Sequence, residues 1–311
     1  MKKYLFENTS KFVKHFAKKH RIFCFILFPF YYSYVIIYFN YSIMENYVLI
    51  LFGRRIKMAK IISIVNQKGG VGKTTSAVNL VAALGAMGKK VLLIDIDPQG
   101  NTTSGYGIQR KGLNATSYEL LINSTEAKNA IIQTKYQGVD IIPSNMNLAG
   151  AEIEMAALEG RESLLKKAIA PIQENYDFVF FDCPPSLGLI TLNALTASDT
   201  FIVPIQCEYY ALEGLSQLMS TVRTIKRLYN EYLELEGVLL TMYDGRLNLT
   251  QQVVDEVKNF FPKKVYATVI PRNVRLSEAP SFGEPVLYYD RGSKGAESYN
   301  NLAEEFLKMQ K

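Results

Sequence analysis

The sequence predicts an α/β protein built on a mostly parallel, twisted sheet with helices on both faces. Three observations predict it. From residue 58 onward, short apolar runs alternate with longer stretches of helical pattern, the βαβ grammar of a parallel sheet. The runs are near-continuous rather than alternating, as strands buried on both faces require. The first of them leads through a glycine-rich loop straight into a helix.

Taken in order, the expected strands are Lys60 to Val65, Lys90 to Ile94, Val139 to Ile142, Phe178 to Phe181, Thr200 to Val203, Gly237 to Met242 and Val265 to Val269. Helices are expected over Lys73 to Met87, Gly188 to Thr196, Leu212 to Tyr229, Thr250 to Phe260 and Lys294 to Met309. No repeat, low-complexity tract or long linker interrupts residues 58–311, which read as one domain.

The chain has 311 residues, and its 48% hydrophobic content excludes a disordered or fibrous protein. Its charge is unevenly spread. Residues 1–57 carry ten Lys/Arg against Glu7 and Glu45, so the remainder is close to neutral and the overall basic balance is no argument for nucleic-acid binding. Both histidines, His15 and His20, also lie in that first stretch. The rest therefore has no Ser-His-Asp triad, no histidine general base and no histidine-ligated metal. Three widely spaced cysteines, Cys24, Cys183 and Cys207, without a CxxC, fit a reducing compartment, buried thiols and no disulfide framework.

Residues 1–57 differ in texture from the rest of the chain. No charge occurs from Ile22 to Met44, and hydropathy alone reads that run as a membrane span. Three features oppose this: basic groups stand on both sides, a single span would carry the succeeding domain across the membrane, and no small-residue cleavage site comes after the run. Met58 begins as a cytosolic α/β protein does, with a strand almost at once. Residues 1–57 are thus expected to be an extension outside the working protein, residues 58–311, with a membrane anchor as the alternative.

The most informative segment is Gln67-Lys68-Gly69-Gly70-Val71-Gly72-Lys73-Thr74-Thr75, between the first strand and the first helix. Glycines there let backbone N–H groups surround phosphate oxygens, and the helix N-terminus adds partial positive charge. Lys73 can reach β- and γ-phosphates and Thr74 can ligate Mg²⁺. This is a P-loop NTPase signature in its required context, with Gly69, Gly70, Val71, Gly72, Lys73, Thr74 and Thr75 forming the phosphate cradle. It is also a deviant one. The pattern GxxxxGK[ST] would place Gly where Gln67 stands, and a second lysine, Lys68, precedes Lys73 by five residues.

Two acidic strand ends accompany the loop. VLLIDID ends in Asp95 and Asp97, which point the same way if the strand continues that far, although capping of the Pro98-Gln99-Gly100 turn is an alternative for Asp95. FVFFD ends in Asp182, a Walker B pattern expected to hold Mg²⁺ through water.

KGGVGKTT resembles the deviant Walker A motif of the ParA/MinD ATPases, and the text from Met58 to the C-terminus is similar to the chromosomal, Soj-type branch. The resemblance implies a Mg²⁺-dependent, slow ATPase whose ATP-bound homodimer is a sandwich. Lys68 would cross the dimer interface to the partner's nucleotide, with Gly69 at the tight contact. Asp97 would position the attacking water, making Lys68, Lys73 and Asp97 the catalytic set, and Asp95 would support a Mg²⁺ shell held by Thr74 and Asp182. Pro271 and Asn273 would flank adenine. Arg246 and Arg275, in strand-to-helix loops, would bind DNA nonspecifically on the nucleoid, in the cytoplasm, until a ParB-like partner stimulates hydrolysis. The competing class is a membrane-cycling, MinD-like positioning ATPase. Its basic amphipathic tail is poorly matched here, where Glu297, Glu304 and Glu305 accompany a face of Leu302, Phe306 and Met309. A metal-cluster ATPase is disfavoured by the spacing of Cys183 and Cys207.

Overall fold

A computed structural model describes residues 27–30, 33–36, 58–122, 124–208 and 211–310. The chain divides into two compact units, Met1–Ile56 and Lys57–Lys311. In the first, β1 (Leu27–Phe30) and β2 (Ser33–Ile36) pair antiparallel, Leu27 opposite Ile36. The rest of the uncharged run from Ile22 to Met44, and Cys24, lie outside the described residues. Among the described residues no helix is long and apolar enough to cross a membrane.

The second unit is a seven-stranded sheet in the order β5-β6-β4-β7-β3-β8-β9. Its strands are β3 (Lys60–Ile64), β4 (Val91–Asp95), β5 (Ile132–Gln133), β6 (Val139–Ile142), β7 (Phe178–Asp182), β8 (Thr200–Gln206) and β9 (Glu234–Thr241). All neighbours are parallel except the edge pair β5 and β6. Successive side chains of a strand point to opposite faces, and the sheet divides its apolar residues accordingly. Ile61, Leu92, Ile94, Val179 and Phe181 join one core, whereas Ile62, Ile64, Leu93, Phe178 and Phe180 join the other.

The longer helices cover both faces. On the second core lie α1 (Lys73–Ala86), through Leu80 and Leu84, and α12 (Lys294–Met309), through Leu302 and Phe306. The first core takes α5 (Leu148–Met155), α6 (Leu164–Ile169), α7 (Leu189–Ala197), α8 (Ala211–Leu228) and α9 (Asn248–Phe260). Shorter helices complete the connections: α2 (Asn101–Gly105), α3 (Ser117–Leu121), α4 (Ala127–Ala130), α10 (Val274–Glu278) and α11 (Val286–Tyr289). The expected face of α12 holds for Leu302 and Phe306, but Met309 is exposed.

One expected strand is absent. Val265 to Val269 makes one isolated bridge, Val238 with Val265, and a second, Tyr243 with Pro271, lies just beyond it. The reason is a competing acceptor. Backbone N–H groups of Ala267 and Thr268 donate to the Glu305 carboxylate of α12 at 2.7 and 2.9 Å, so the middle of the segment turns from β9 to a side chain.

At Gly85, inside α1, helix and sheet connection meet closely. A Cβ there would lie 2.3 Å from the Gln137 carbonyl oxygen and 2.7 Å from Val139 Cγ2. In an open helix, Gly to Ala stabilises by about 0.4–1 kcal/mol. Here Gly85→Ala should destabilise by roughly 1–3 kcal/mol through overpacking, as measured by urea unfolding; a more stable variant would show that the backbone around Gln137 yields freely.

Candidate active site

The loop after β3 turns because its glycines permit it. Gly70 and Gly72 have φ of 75° and 87°, the left-handed region. Gly72 is the N-cap of α1, so the first N–H groups of a 14-residue helix open onto the space the loop encloses. The loop is pinned from outside: Thr241 Oγ1 donates to the Val71 carbonyl at 2.8 Å, and Asn66 Nδ2 to the Pro204 carbonyl at 2.8 Å. Asn66 Oδ1 accepts from the Lys68 N–H at 3.0 Å.

The two lysines part company. Lys73 is 7% exposed and its Nζ donates to the Lys68 carbonyl at 3.0 Å, across the mouth of the loop. Burial lowers its pKa, against the charges of Asp182, Cys183 and Asp97, which raise it. Lys68 turns outward instead and pairs with Glu208 at 2.9 Å, both side chains more than a third exposed. Glu208 also accepts from Gln206 Nε2.

Asp95 and Asp182 end adjacent strands and are register partners. Both are fully buried. Two consecutive threonines of α2 serve them. Thr103 donates its N–H at 2.8 Å and its hydroxyl at 2.7 Å to Asp95 Oδ2, and Asp95 Oδ1 accepts from the Asp97 N–H at 3.2 Å. Thr102 Oγ1 donates to Asp182 Oδ2 at 2.8 Å, as does Thr74 Oγ1 from the loop. Asp182 Oδ1 is buried and has no hydrogen-bond partner.

Burial, then the neighbouring Asp182 charge, pushes the Asp95 pKa up to about 7, opposed by the bonds from Thr103 and Asp97. Burial likewise pushes Asp182 up to about 6, opposed by the Thr74 and Thr102 hydroxyls. A buried carboxylate with an orphaned oxygen, beside a loop threonine, has the chemistry of a hard-cation site. The residues present fit Mg²⁺.

The structure brings Thr74 to Asp182 beside the glycine loop, as their places in the sequence suggested, and alters the expected geometry of Asp95 and Asp97. The strand stops at Asp95, so the two do not share a strand face. Asp97 instead opens a turn closed by the Gly100 N–H on its carbonyl at 2.9 Å, and its Oδ1 accepts from the Gln99 N–H at 2.9 Å. Asp95 gives both oxygens to the N–H of Asp97 and the N–H and hydroxyl of Thr103, not to the Pro98-Gln99-Gly100 turn, which Asp97 caps instead.

Beyond the loop, a cavity of about 370 Å³ is lined by Gly72, Thr75, Met242, Pro271, Asn273 and Tyr299, among others. Pro271 and Asn273 thus line the same cavity as Gly72 and Thr75. Met242 has a φ of 49°, uncommon without glycine. Asn273 caps α10 through its Oδ1, which accepts from the Arg275 N–H at 2.9 Å. Arg275 therefore sits in the first turn of a helix, not in a loop.

Both arginines are paired. Arg246 donates to both oxygens of Asp244, at 2.8 and 2.6 Å, and these bonds hold Asp244 down to about 2 while raising Arg246. Arg275 pairs with Glu278 at 2.7 Å and Asp290 at 3.1 Å. Cys183 and Cys207 are buried, which pushes both thiols up, Cys207 to about 11. Thr102, Thr103, Glu208, Thr241 and Tyr299 are the residues the sequence reading missed.

A family model described as AAA domain matches residues 59–235, more than half the chain. The sporulation initiation inhibitor protein Soj of Bacillus subtilis is 56% identical over 248 residues, 80% of this chain and 98% of that protein. The chain belongs to the ParA/Soj family of P-loop ATPases. Another relative, the chromosome partitioning protein ParA of Myxococcus xanthus, is 49% identical over 251 residues, 81% of this chain and 89% of that one. Among solved structures, the cobyrinic acid a,c-diamide synthase of Mycobacterium smegmatis with bound ADP and magnesium is 36% identical with a TM-score of 0.72. It covers 81% of this chain and 96% of its own. The family's P-loop architecture is thus this chain's fold, with Asp95 and Asp182 at the carboxyl edge of the sheet, where such sheets bind ligands.

The strand-end carboxylates set a pH dependence. Their folded pKa values lie above the ordinary carboxylate range of about 4, so between about pH 4 and 7 the native state binds more protons than the unfolded chain, and stability falls as pH rises. Without nucleotide and in EDTA, the unfolding free energy should therefore decline from pH 5 to 8. Asp182→Asn should make that decline shallower and stabilise the protein at pH 8 by about 1–3 kcal/mol. An unaltered slope by denaturant titration would contradict the assignment.

Proposed function

We propose that residues 58–311 work as an ATP-dependent DNA-partitioning ATPase, with residues 1–57 an extension apart from that work. The observation that carries the reading is the division of labour between the two lysines. One faces the phosphate cradle, and the other stands at the rim, its ammonium paired, among the described residues, with the half-buried Glu208.

In this reading the glycine loop and the α1 N-terminus bind ATP phosphates, Lys73 lies against the β- and γ-phosphates, and Pro271 and Asn273 flank adenine. Thr74 and Asp182 hold Mg²⁺, with Asp95 behind Asp182. The ion, when bound, neutralises charge on the phosphate oxygens. Asp97 positions the attacking water from its turn. With no histidine in the domain, the rate rests on positioning and charge, so turnover is slow.

Lys68 then exchanges Glu208 for the partner's nucleotide, so that ATP joins two copies face to face. Gly69 supports this. Its φ is not positive, and a Cβ there would meet nothing within 4 Å, so a side chain at this exposed point disturbs only what approaches from outside. Gly69→Val should leave the fold and ATP binding intact and abolish the dimer formed with a non-hydrolysable ATP analogue, as read by light scattering. Dimers from that variant would remove Gly69 from the interface.

The dimer binds nucleoid DNA through Arg246 and Arg275, whose carboxylate partners give way to backbone phosphates, and a ParB-like protein triggers hydrolysis and release. Two contacts per protomer make about four per dimer, so affinity should fall about 150-fold between about 50 and 200 mM salt. With ATP, and not with ADP or no nucleotide, the wild type should bind DNA of arbitrary sequence. Arg246→Glu and Arg275→Glu should remove that binding while keeping the dimer; loss of the dimer in either would overturn their role. A membrane-cycling role is less well supported, because the apolar face of α12 is buried through Leu302 and Phe306.

A further inference from the structure

Thr102 has no place among the phosphate, adenine and DNA contacts proposed above. It is fully buried, on the first turn of α2, five residues beyond Asp97. Its hydroxyl is too far inside to meet solvent and goes to a single acceptor, Asp182 Oδ2. Its neighbour Thr103 takes the companion carboxylate, Asp95, and accepts in turn from the Ser144 N–H at 2.9 Å. A pair of adjacent threonines therefore spans a pair of adjacent strand ends.

The two hydroxyls on Asp182 come from different directions. Thr74 lies in the first turn of α1, directly after the glycine loop, whereas Thr102 belongs to the segment just past the Asp97 turn. Both donate to Oδ2, and neither reaches Oδ1, which stays buried and unpartnered. A carboxylate held by one donor can rotate about its terminal torsion, which is broad and roughly two-fold. Two donors on the same oxygen fix which oxygen remains available.

We infer that Thr102 is a positioning residue for the metal site: it fixes the Asp182 carboxylate so that Oδ1 is presented to Mg²⁺, and it ties that carboxylate to the segment bearing Asp97. This rests on the ATP·Mg²⁺ reading of the site. Partners of this kind, outside the ligand set, are worth about 10–100-fold in metal affinity. Thr102 touches neither substrate nor ion; it acts through Asp182.

The test uses the full chain and a fluorescent ribose-labelled ATP, whose retention is monitored by anisotropy while Mg²⁺ is titrated. Thr102→Val keeps the shape and deletes the donor, and should raise the Mg²⁺ concentration at half-retention about 10-fold or more. Thr102→Ser restores the donor and should bring that midpoint most of the way back. Residual retention in EDTA should be the same in all three proteins, because the glycine loop is untouched. An unchanged midpoint in Thr102→Val overturns the inference. So does a Thr102→Ser midpoint shifted as far as that of Thr102→Val, which would make the residue a packing element only. Should Thr102→Val fail to fold, Thr102→Ala against Thr102→Ser gives the same comparison. A wild type that retains the nucleotide equally in EDTA and Mg²⁺ would instead sink the metal reading itself, and this inference with it.

Discussion

Two carboxylates, side by side on neighbouring strands and shut off from water, are the constraint around which the rest of the domain is arranged. Buried charges in such a pair repel, and each costs desolvation unless donors are supplied. The chain supplies them from three places: the phosphate loop through Thr74, the short helix α2 through Thr102 and Thr103, and the turn through the Asp97 N–H. Loop, turn and helix are consequently joined to one another by way of Asp95 and Asp182. That is why residues far apart in sequence behave as one site.

The sheet makes this arrangement possible. Parallel strands bring all their carboxyl ends to one edge, and the register of β4 with β7 puts Asp95 and Asp182 at the same level. Burial on both faces, with α1 and α12 on one side and α5 to α9 on the other, keeps the pair dry. The elevated proton affinity of both groups comes from that dryness, and a divalent cation is the natural counterweight. In the proposed reading, stability of the empty domain and affinity for the ion would thus be set against each other at Asp182, with Asp95 as its buried neighbour.

Much of this was legible in the sequence, and the reasons differ by residue. An apolar run ending in an acid, as at Asp182, can be read because burial and strand ending leave a local signature. The glycine loop can be read because left-handed backbone at Gly70 and Gly72 and a helix start just after it are local requirements too. The Val265 to Val269 segment has a strand's composition, and only the distant Glu305 explains why its amides leave the sheet. Asp97 would share a strand face with Asp95 only if β4 ran on, and the end of β4 at Asp95, ahead of the turn from Asp97 to Gly100, becomes visible only in the assembled sheet. Thr102 and Thr103 gave no warning: a threonine hydroxyl serves so many purposes that its partner is visible only when the strands are assembled. The pairing of Arg246 with Asp244 was two residues away and could have been suspected.

In the proposed dimer, the tie between Lys68 and Glu208 would bear on how fast two molecules commit to one another. A solvent-accessible, half-buried pair of this kind is worth only about 0–1 kcal/mol, so it keeps the ammonium group parked without imprisoning it. The parked group is pre-oriented at the rim, and freeing it demands little more than thermal agitation. In a pairing cycle governed by nucleotide, such a weak tether would quiet chance collisions between empty molecules yet yield at once to a triphosphate, whose denser negative charge outbids a single carboxylate.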